Sequence, residues 1–321
     1  MSKDPKLFSR RGFIQKSGLV TAGIPLMPMA NSLPLASPNK SNLKVHLFSK
    51  HLQFLNYFDM SEAAADMGFD GLDLTVRPHG HVQPDQVIEK LPKAVEAMLN
   101  MGLQPDLLTT NILDAQRDTD VTLLQTASQL GFKHYRMGWF KYEEEKPIPL
   151  QIKELTDRFS KLEKFNARLG LKGSYQNHAG KYVGAPIWDT YQIIKDFTSR
   201  HIGSQYDIRH AVVEGGSSWE LGLKLIKNHI NTIAIKDFKW GQVNGVWKPI
   251  NTPLGEGMVD FKRYFTLLKK YGIQVPVSLH LEYDLGGAEH GMSKISIDRK
   301  EIFKQMKKDL TYLKMTWEQA G

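Results

Sequence analysis

Residues 68–77 read Gly68-Phe69-Asp70-Gly71-Leu72-Asp73-Leu74-Thr75-Val76-Arg77. The first glycine closes a helical segment, because glycine takes the left-handed conformation that ends a helix without a Cβ clash. An alternating, partly β-branched run follows. Residues two apart in a strand share a face. Asp73, Thr75 and Arg77 therefore point one way, and Leu72, Leu74 and Val76 the other. A strand that sends Asp, Thr and Arg to one side is building a polar pocket at its end.

The same unit recurs along the chain. Strands are expected at 44–48, 71–75, 103–108, 134–138, 171–175, 203–207, 232–235 and 275–282. Segments of helical period separate them. Ile152, Leu155, Phe159, Leu162, Phe165 and Leu169 recur every three or four residues and lay one apolar stripe along a helix. Ile302, Phe303, Met306, Leu310 and Leu313 do the same near the C-terminus. Gly102, Gly131, Gly170 and Gly272 stop helices just before the next strand, as Gly68 does. Strict strand–helix alternation implies a parallel sheet. Eight repeats favour closure into an α/β (β/α)8 barrel, a TIM barrel, over residues 43–321. No Gly-x-Gly-x-x-Gly follows the first strand, so a dinucleotide fold has little support.

Composition narrows the function. The net charge is +8, but residues 1–36 hold five bases (Lys3, Lys6, Arg10, Arg11, Lys16) and one acid (Asp4), which leaves +4 on the rest. The remaining lysines and arginines alternate with acids along helical faces, with no basic stripe of the kind nucleic acid requires. With no cysteine, disulfides, a thiolate nucleophile and a Cys-ligated metal are all excluded.

Ser9-Arg10-Arg11-Gly12-Phe13-Ile14 precedes an apolar stretch from Gly18 to Ala30 and then small residues. This order is that of a secretory signal, and the paired arginines mark the twin-arginine type. Residues 1–36 are therefore expected to direct export to the periplasm, and 37–42 to form a linker. No other run is long and apolar enough to span a bilayer.

In a barrel of this kind the active site lies at the C-terminal ends of the strands. The first strand ends in Ser49-Lys50-His51, and the loop after the second holds His79 and His81. The fourth strand carries Arg136. The fifth ends in Gln176-Asn177-His178, the sixth in Asp207-Ile208-Arg209-His210, the seventh in Lys236-Asp237, and the eighth in His280-Leu281-Glu282. A lone strand-end Arg or Asp is as readily half of an ion pair. Read together, nearly every end supplies a titratable group to one mouth, and burying so many charges without a ligand is costly.

Gly68-Phe69-Asp70-Gly71-Leu72-Asp73, the Gln-Asn-His and Tyr-Asp ends, the Lys-Asp end and Pro253-Leu254-Gly255-Glu256-Gly257 with Asp260-Phe261 resemble the xylose isomerase-like TIM barrel family. The resemblance covers essentially all of residues 43–315. It implies a carbohydrate-active enzyme of the isomerase or epimerase type, which abstracts a proton next to a carbonyl of a sugar or keto-sugar. Glu282 is the expected base, with His178 as proton partner and Lys236 stabilising the oxyanion. Lys50, His51, Asp73, Arg77, His81, Arg136, Arg209 and His280 are the expected substrate contacts. Members of the family hold one divalent metal with Glu, Asp, His and Glu. Here Gln176 and Ala234 stand where Glu and His are usual, while Asp207 and Glu282 match. Either one divalent ion (manganese, magnesium, cobalt or zinc) rests on Asp207, Glu282 and Gln176, or the site is metal-free and Lys236 with the arginines supplies the positive charge. The same first step also serves a lyase that eliminates a group from 3-keto-glycosides. The changed ligands motivate a further alternative, a non-catalytic sugar-binding barrel. Hydrolysis by two carboxylates finds only Asp207 and Glu282 well placed. The expected partner is a small-molecule carbohydrate, with homo-oligomer formation left open.

Overall fold

The apolar faces of the eight strands need cover on both sides, and in the computed structural model they receive it by closure. The structure describes residues 43–197 and 200–321, so the expected signal and linker lie outside the described residues. In chain order the elements are β1 (Val45–Phe48), α1 (Tyr57–Met67), β2 (Gly71–Thr75), α2 (Val87–Asn100), β3 (Gln104–Thr109), α3 (Asp118–Gln129) and β4 (His134–Arg136). There follow α4 (Ile148–Leu169), β5 (Lys172–Gln176), α5 (Ile187–Ile194), β6 (Ile202–Asp207), α6 (Ile208–Gly215), α7 (Trp219–Ile226) and β7 (Ile230–Ile235). The chain ends with β8 (Asp237–Val243), β9 (Val246–Thr252), α8 (Phe261–Lys270), β10 (Val277–Leu279) and α9 (Arg299–Gln319). Strands β1 to β7 and β10 form one closed barrel in the order β1-β10-β7-β6-β5-β4-β3-β2. All its pairs are parallel, as β1 with β10 (Val45 beside Val277) and β1 with β2 (Phe48 beside Asp73) illustrate.

The expected barrel is the observed one, and each expected strand lies within a few residues of the observed strand. The largest difference is at the eighth, expected at 275–282 and reduced to Val277–Leu279. Pro276 has no N–H to give a ladder. The His280 N–H still bonds the Ile235 carbonyl, and beyond it the chain leaves the ladder: the Leu281 N–H bonds to His51 Nε2 instead.

The helices form for the expected reasons. In α4, Leu155, Phe159 and Leu162 are buried, with Ile152, Phe165 and Leu169 packed beside them. Helix α1 starts at Asn56, whose side chain accepts the Asp59 N–H at 2.9 Å, and stops at Gly68 with φ +90°.

One element was not expected. Strands β8 and β9 form an antiparallel hairpin directly after the seventh barrel strand. Asn244 (φ +52°) and Gly245 (φ +76°) turn it, the residue pair that a two-residue hairpin turn favours. The hairpin is anchored by Asp237, whose carboxylate accepts the N–H groups of Phe238, Gly255, Gly257 and Val259 at 2.8–3.1 Å. A Cβ on Gly257 would stand 2.2 Å from Asp237 Oδ1. The Pro-Leu-Gly-Glu-Gly stretch thus folds back on the aspartate that opens the hairpin.

Candidate active site

At the C-terminal mouth, Asp207 is fully buried at the end of β6, and its side chain caps α6 by accepting the His210 N–H at 3.1 Å. Lys236, just past β7 and 3% exposed, sets its ammonium 3.3 Å from Asp207 Oδ2 and 3.3 Å from Glu282 Oε2. The other oxygen of Glu282 lies 3.7 Å from Lys50 Nζ and 3.7 Å from His280 Nδ1. Glu282 is a quarter exposed, so the open side of the mouth can reach it. Burial alone would raise its pKa. Lys236 and Lys50 outweigh burial and hold the carboxyl well below the usual range.

Gln176 joins this cluster from β5. Its Nε2 donates to Asp207 Oδ2 at 2.8 Å, and its Oε1 accepts from Arg136 Nη1 at 3.3 Å. The chemistry of the neighbours dictates this orientation, since a guanidinium can only donate and a carboxylate can only accept. The donor set therefore does not fit a divalent ion. The position between the two carboxylates belongs to the Lys236 ammonium, Ala234 has no donor atom, and Gln176 would have to break two bonds to present its oxygen. Among the described residues no group of three or more His, Asp or Glu could hold a metal. Of the three ligands expected for the ion, Asp207 and Glu282 face the Lys236 ammonium, and Gln176 turns its amide hydrogens toward Asp207.

Two expected substrate contacts have other partners. His51 is buried, with Nδ1 donating to the Ala288 carbonyl at 3.3 Å and Nε2 accepting the Leu281 N–H at 3.0 Å. His81 bonds Ser49 and Thr75 through Nδ1 and the Leu52 carbonyl through Nε2. Burial lowers its pKa to about 4, so the ring is neutral and structural. Both histidines secure the loops after β1, β2 and β10 and have no ring nitrogen left for a ligand.

The other expected residues converge on the mouth. Asp73 accepts from Ser278 Oγ at 2.6 Å, and Ser278 in turn faces His280 Nε2 at 3.0 Å. Ser278 spends its one proton on the carboxylate, so His280 Nε2 carries the hydrogen and Nδ1 keeps a lone pair toward Glu282. His178 donates Nδ1–H to the Ala179 carbonyl at 3.0 Å, which leaves Nε2 as an acceptor. Burial, then Lys236, lower its pKa below 6.5. Its ring packs against His210 (4.2 Å) and Trp139 (4.9 Å). Arg209 bonds His210 Nδ1 and Asn251 Oδ1, both at 3.0 Å. Lys50, Arg77 and Arg136 surround the Phe48 ring at 5.5, 5.6 and 5.9 Å.

Sequence reading missed Phe48, Trp139, Tyr182 and Asn251. Phe48 is the last residue of β1 and stacks on His280 at 4.2 Å. Asn251 comes from β9 and donates to the Glu282 carbonyl at 3.2 Å. Recognition of Asn244-Gly245 as a hairpin turn would have led to it. Trp139 and Tyr182 line a cavity of about 950 Å3 beside the β2–β4 side of the mouth, together with Arg77, Asn111, Asp114 and Arg158.

Residues 61–304 match the xylose isomerase-like TIM barrel family. Among solved structures, the chain is similar to the 3-keto-D-glucoside 4-epimerase YcjR of E. coli, at 15% identity and a TM-score of 0.62 over 85% of this chain and 99% of that one. It is similar to the D-allulose 3-epimerase of Methylomonas sp. at 12% identity and a TM-score of 0.63, over 86% and 98%. An L-ribulose 3-epimerase gives 14% and 0.63, over 87% and 95%. At these identities the likeness is one of fold. No curated protein matches the chain.

Proposed function

The chain belongs to the xylose isomerase-like TIM barrel family, and on that premise we propose that it is an enzyme that moves a proton beside the carbonyl of a sugar or keto-sugar, in an isomerase- or epimerase-type reaction without a divalent ion. The observation that carries this reading is the Glu282 carboxylate flanked by two ammonium groups, Lys236 at 3.3 Å and Lys50 at 3.7 Å. A carboxylate held so far below neutrality is a weak base. It can take a carbon-bound proton only if the resulting oxyanion is stabilised at the same place, and the two lysines are there to do so.

In the proposed step, Glu282 takes the proton from the carbon next to the carbonyl. The bonding pair moves into the carbon–carbon bond, and the carbonyl electrons move to oxygen. The oxyanion accepts hydrogen bonds from Lys50 and Lys236. Return of a proton to the other carbon, or to the opposite face of the same carbon, completes isomerisation or epimerisation. His178 Nε2 is the acceptor available for a hydroxyl proton, and His280 Nδ1 can share the proton that Glu282 has taken. Asp207 and Gln176 hold Lys236 and Arg136 in position. Epimerases of ketoses and of a 3-keto-glucoside share the fold, which supports the class of chemistry.

One observation favours a second outcome of the same step. The cavity beside the mouth, about 950 Å3, exceeds the needs of one sugar ring. A substrate with a leaving group in that cavity would lose it from the enolate by β-elimination. Export through the N-terminal signal, which would bring the enzyme to extracellular glycosides, accords with this alternative.

The test is proton exchange. A panel of ketoses and 3-keto-glycosides is incubated in D2O and followed by proton NMR. Loss of the signal of the hydrogen next to the carbonyl is expected with the wild type. Glu282→Gln should slow it by about 10²-fold or more, because the exchange keeps volume and removes basicity. Equal exchange by the variant would refute the assignment of the base.

A further inference from the structure

We infer that the substrate carries a carboxylate, which docks on Arg136 and Arg77 at the floor of the mouth; this rests on the proposed proton-transfer reading for its location and adds the substrate class.

Arg136 is a buried charge with no carboxylate partner at ion-pair distance among the described residues. Arg136 is 2% exposed, yet its Nε and Nη2 are buried without a hydrogen-bond partner among the described residues. Only Nη1 is used, toward Gln176. Nε and Nη2 lie on one edge of the guanidinium and form its side-on fork, which matches the two oxygens of a carboxylate. A buried charge with a whole donor edge open is costly unless something fills it. Trp139 stacks on the face of the guanidinium, its ring centroid 4.2 Å from Cζ, so it does not engage the donor edge.

The surroundings add to the demand for an anion. Arg77 has no carboxylate within ion-pair distance among the described residues, and it flanks the same Phe48 ring as Arg136 and Lys50. Lys50 alone of these three faces a carboxylate closely, Glu282 at 3.7 Å. Around Phe48 and Lys236, five cations (Lys50, Arg77, Arg136, Arg209, Lys236) meet three carboxylates (Asp73, Asp207, Glu282), and in the cavity beside Arg77 the carboxylates of Asp114 and Asp120 are paired with Arg158 and Arg117, which leaves Asp85. Asp237 does not redress this, since its oxygens are bonded to the 255–259 loop. Burial, then repulsion from Arg77, push the Arg136 pKa down to about 9, so the charge is uncomfortable but still present at neutral pH. The floor of the mouth is thus an anion site built from two unpaired arginines. A sugar with a carboxylate on the Arg136 fork can turn its carbonyl toward Lys50 and Lys236. Uronates and keto-aldonates have this chemistry.

Calorimetric titration at pH 7 with D-glucuronate, its methyl ester, D-glucose and glucose 6-phosphate tests the inference. D-Glucuronate should bind roughly tenfold or more tighter than the ester and glucose, the worth of one good charge-assisted contact. Arg136→Lys keeps the charge but removes the fork, and Arg77→Met removes the half-buried partner. Each should abolish most of the preference. The ester comparison needs no variant, so a poorly folded Arg136→Lys protein does not blunt the test. Equal binding of glucuronate and its ester would overturn the inference, and so would tighter binding of glucose 6-phosphate. If glucuronate is preferred but no keto-sugar exchanges its proton, the proposed reaction fails and the anion site stands. If neutral ketoses exchange while glucuronate shows no preference, the anion site alone fails.

Discussion

Replacing Lys236 by methionine keeps most of the side-chain volume and removes one charge from between two carboxylates. The ammonium stands 3.3 Å from both Asp207 Oδ2 and Glu282 Oε2, at 3% exposure. At an effective dielectric of about 20, each contact has a gross attraction of roughly 5 kcal/mol. Desolvation of the ammonium offsets much of that, and breaking a buried pair by removing one partner costs about 3–5 kcal/mol in practice. Asp207 keeps Gln176 and the His210 N–H, so a loss near the lower end, about 3 kcal/mol, is expected. The pH dependence supplies the sharper test. Lys236 is a main cause of the low Glu282 pKa. A carboxyl with a depressed folded-state pKa stabilises the fold above its unfolded value of about 4.3, and this stability is lost as pH falls through the folded value. Without Lys236 that contribution shrinks. The gap between wild type and variant should therefore be full at pH 7 and narrow as pH falls below about 4.3. Urea denaturation at several pH values measures it, and exchange in D2O should fall in parallel by about 10²-fold or more. Added manganese or magnesium should not restore the rate, because two carboxylates and a methionine do not rebuild the missing ligands. A gap below about 1 kcal/mol, or one that does not change with pH, would show that Lys236 does not hold these carboxylates.

Three further outcomes are expected. In the proposed reaction His178 serves as a neutral acceptor, and burial with Lys236 lowers its pKa. The rate should therefore rise with pH through a midpoint below 6.5 and stay level at neutrality, and a kcat/KM profile that rises toward acid pH would exclude this role. Asp237→Ala leaves the N–H groups of Phe238, Gly255, Gly257 and Val259 without their acceptor and should cost about 3 kcal/mol or more, with amide exchange speeding up across residues 253–259. Changing Arg10 and Arg11 to lysine should keep the protein in the cytoplasm, and cell fractionation that finds it outside would refute the twin-arginine reading.

The sequence by itself determined the barrel. The eight strands and the glycines that end the helices are written in periods of two and of three to four residues, and such patterns come from bonds between near neighbours in the chain. The same logic located the ring of titratable groups, because a strand-end residue is recognisable once the strand is. The partner of each group was decided only by closure. Gln176 reads as a weakened metal ligand in sequence, but Arg136, 40 residues away, and Asp207, 31 away, turn its amide the other way. Lys236 reads as one strand-end cation among several until β6, β7 and β10 meet and set it between Asp207 and Glu282. His51 and His81 look like ligands and are bound to backbone and hydroxyl groups brought in by distant loops. Side-chain hydrogen bonds depend on angles and on which competing partner arrives, and for these residues the partners arrive from strands and loops that only the closed barrel brings together.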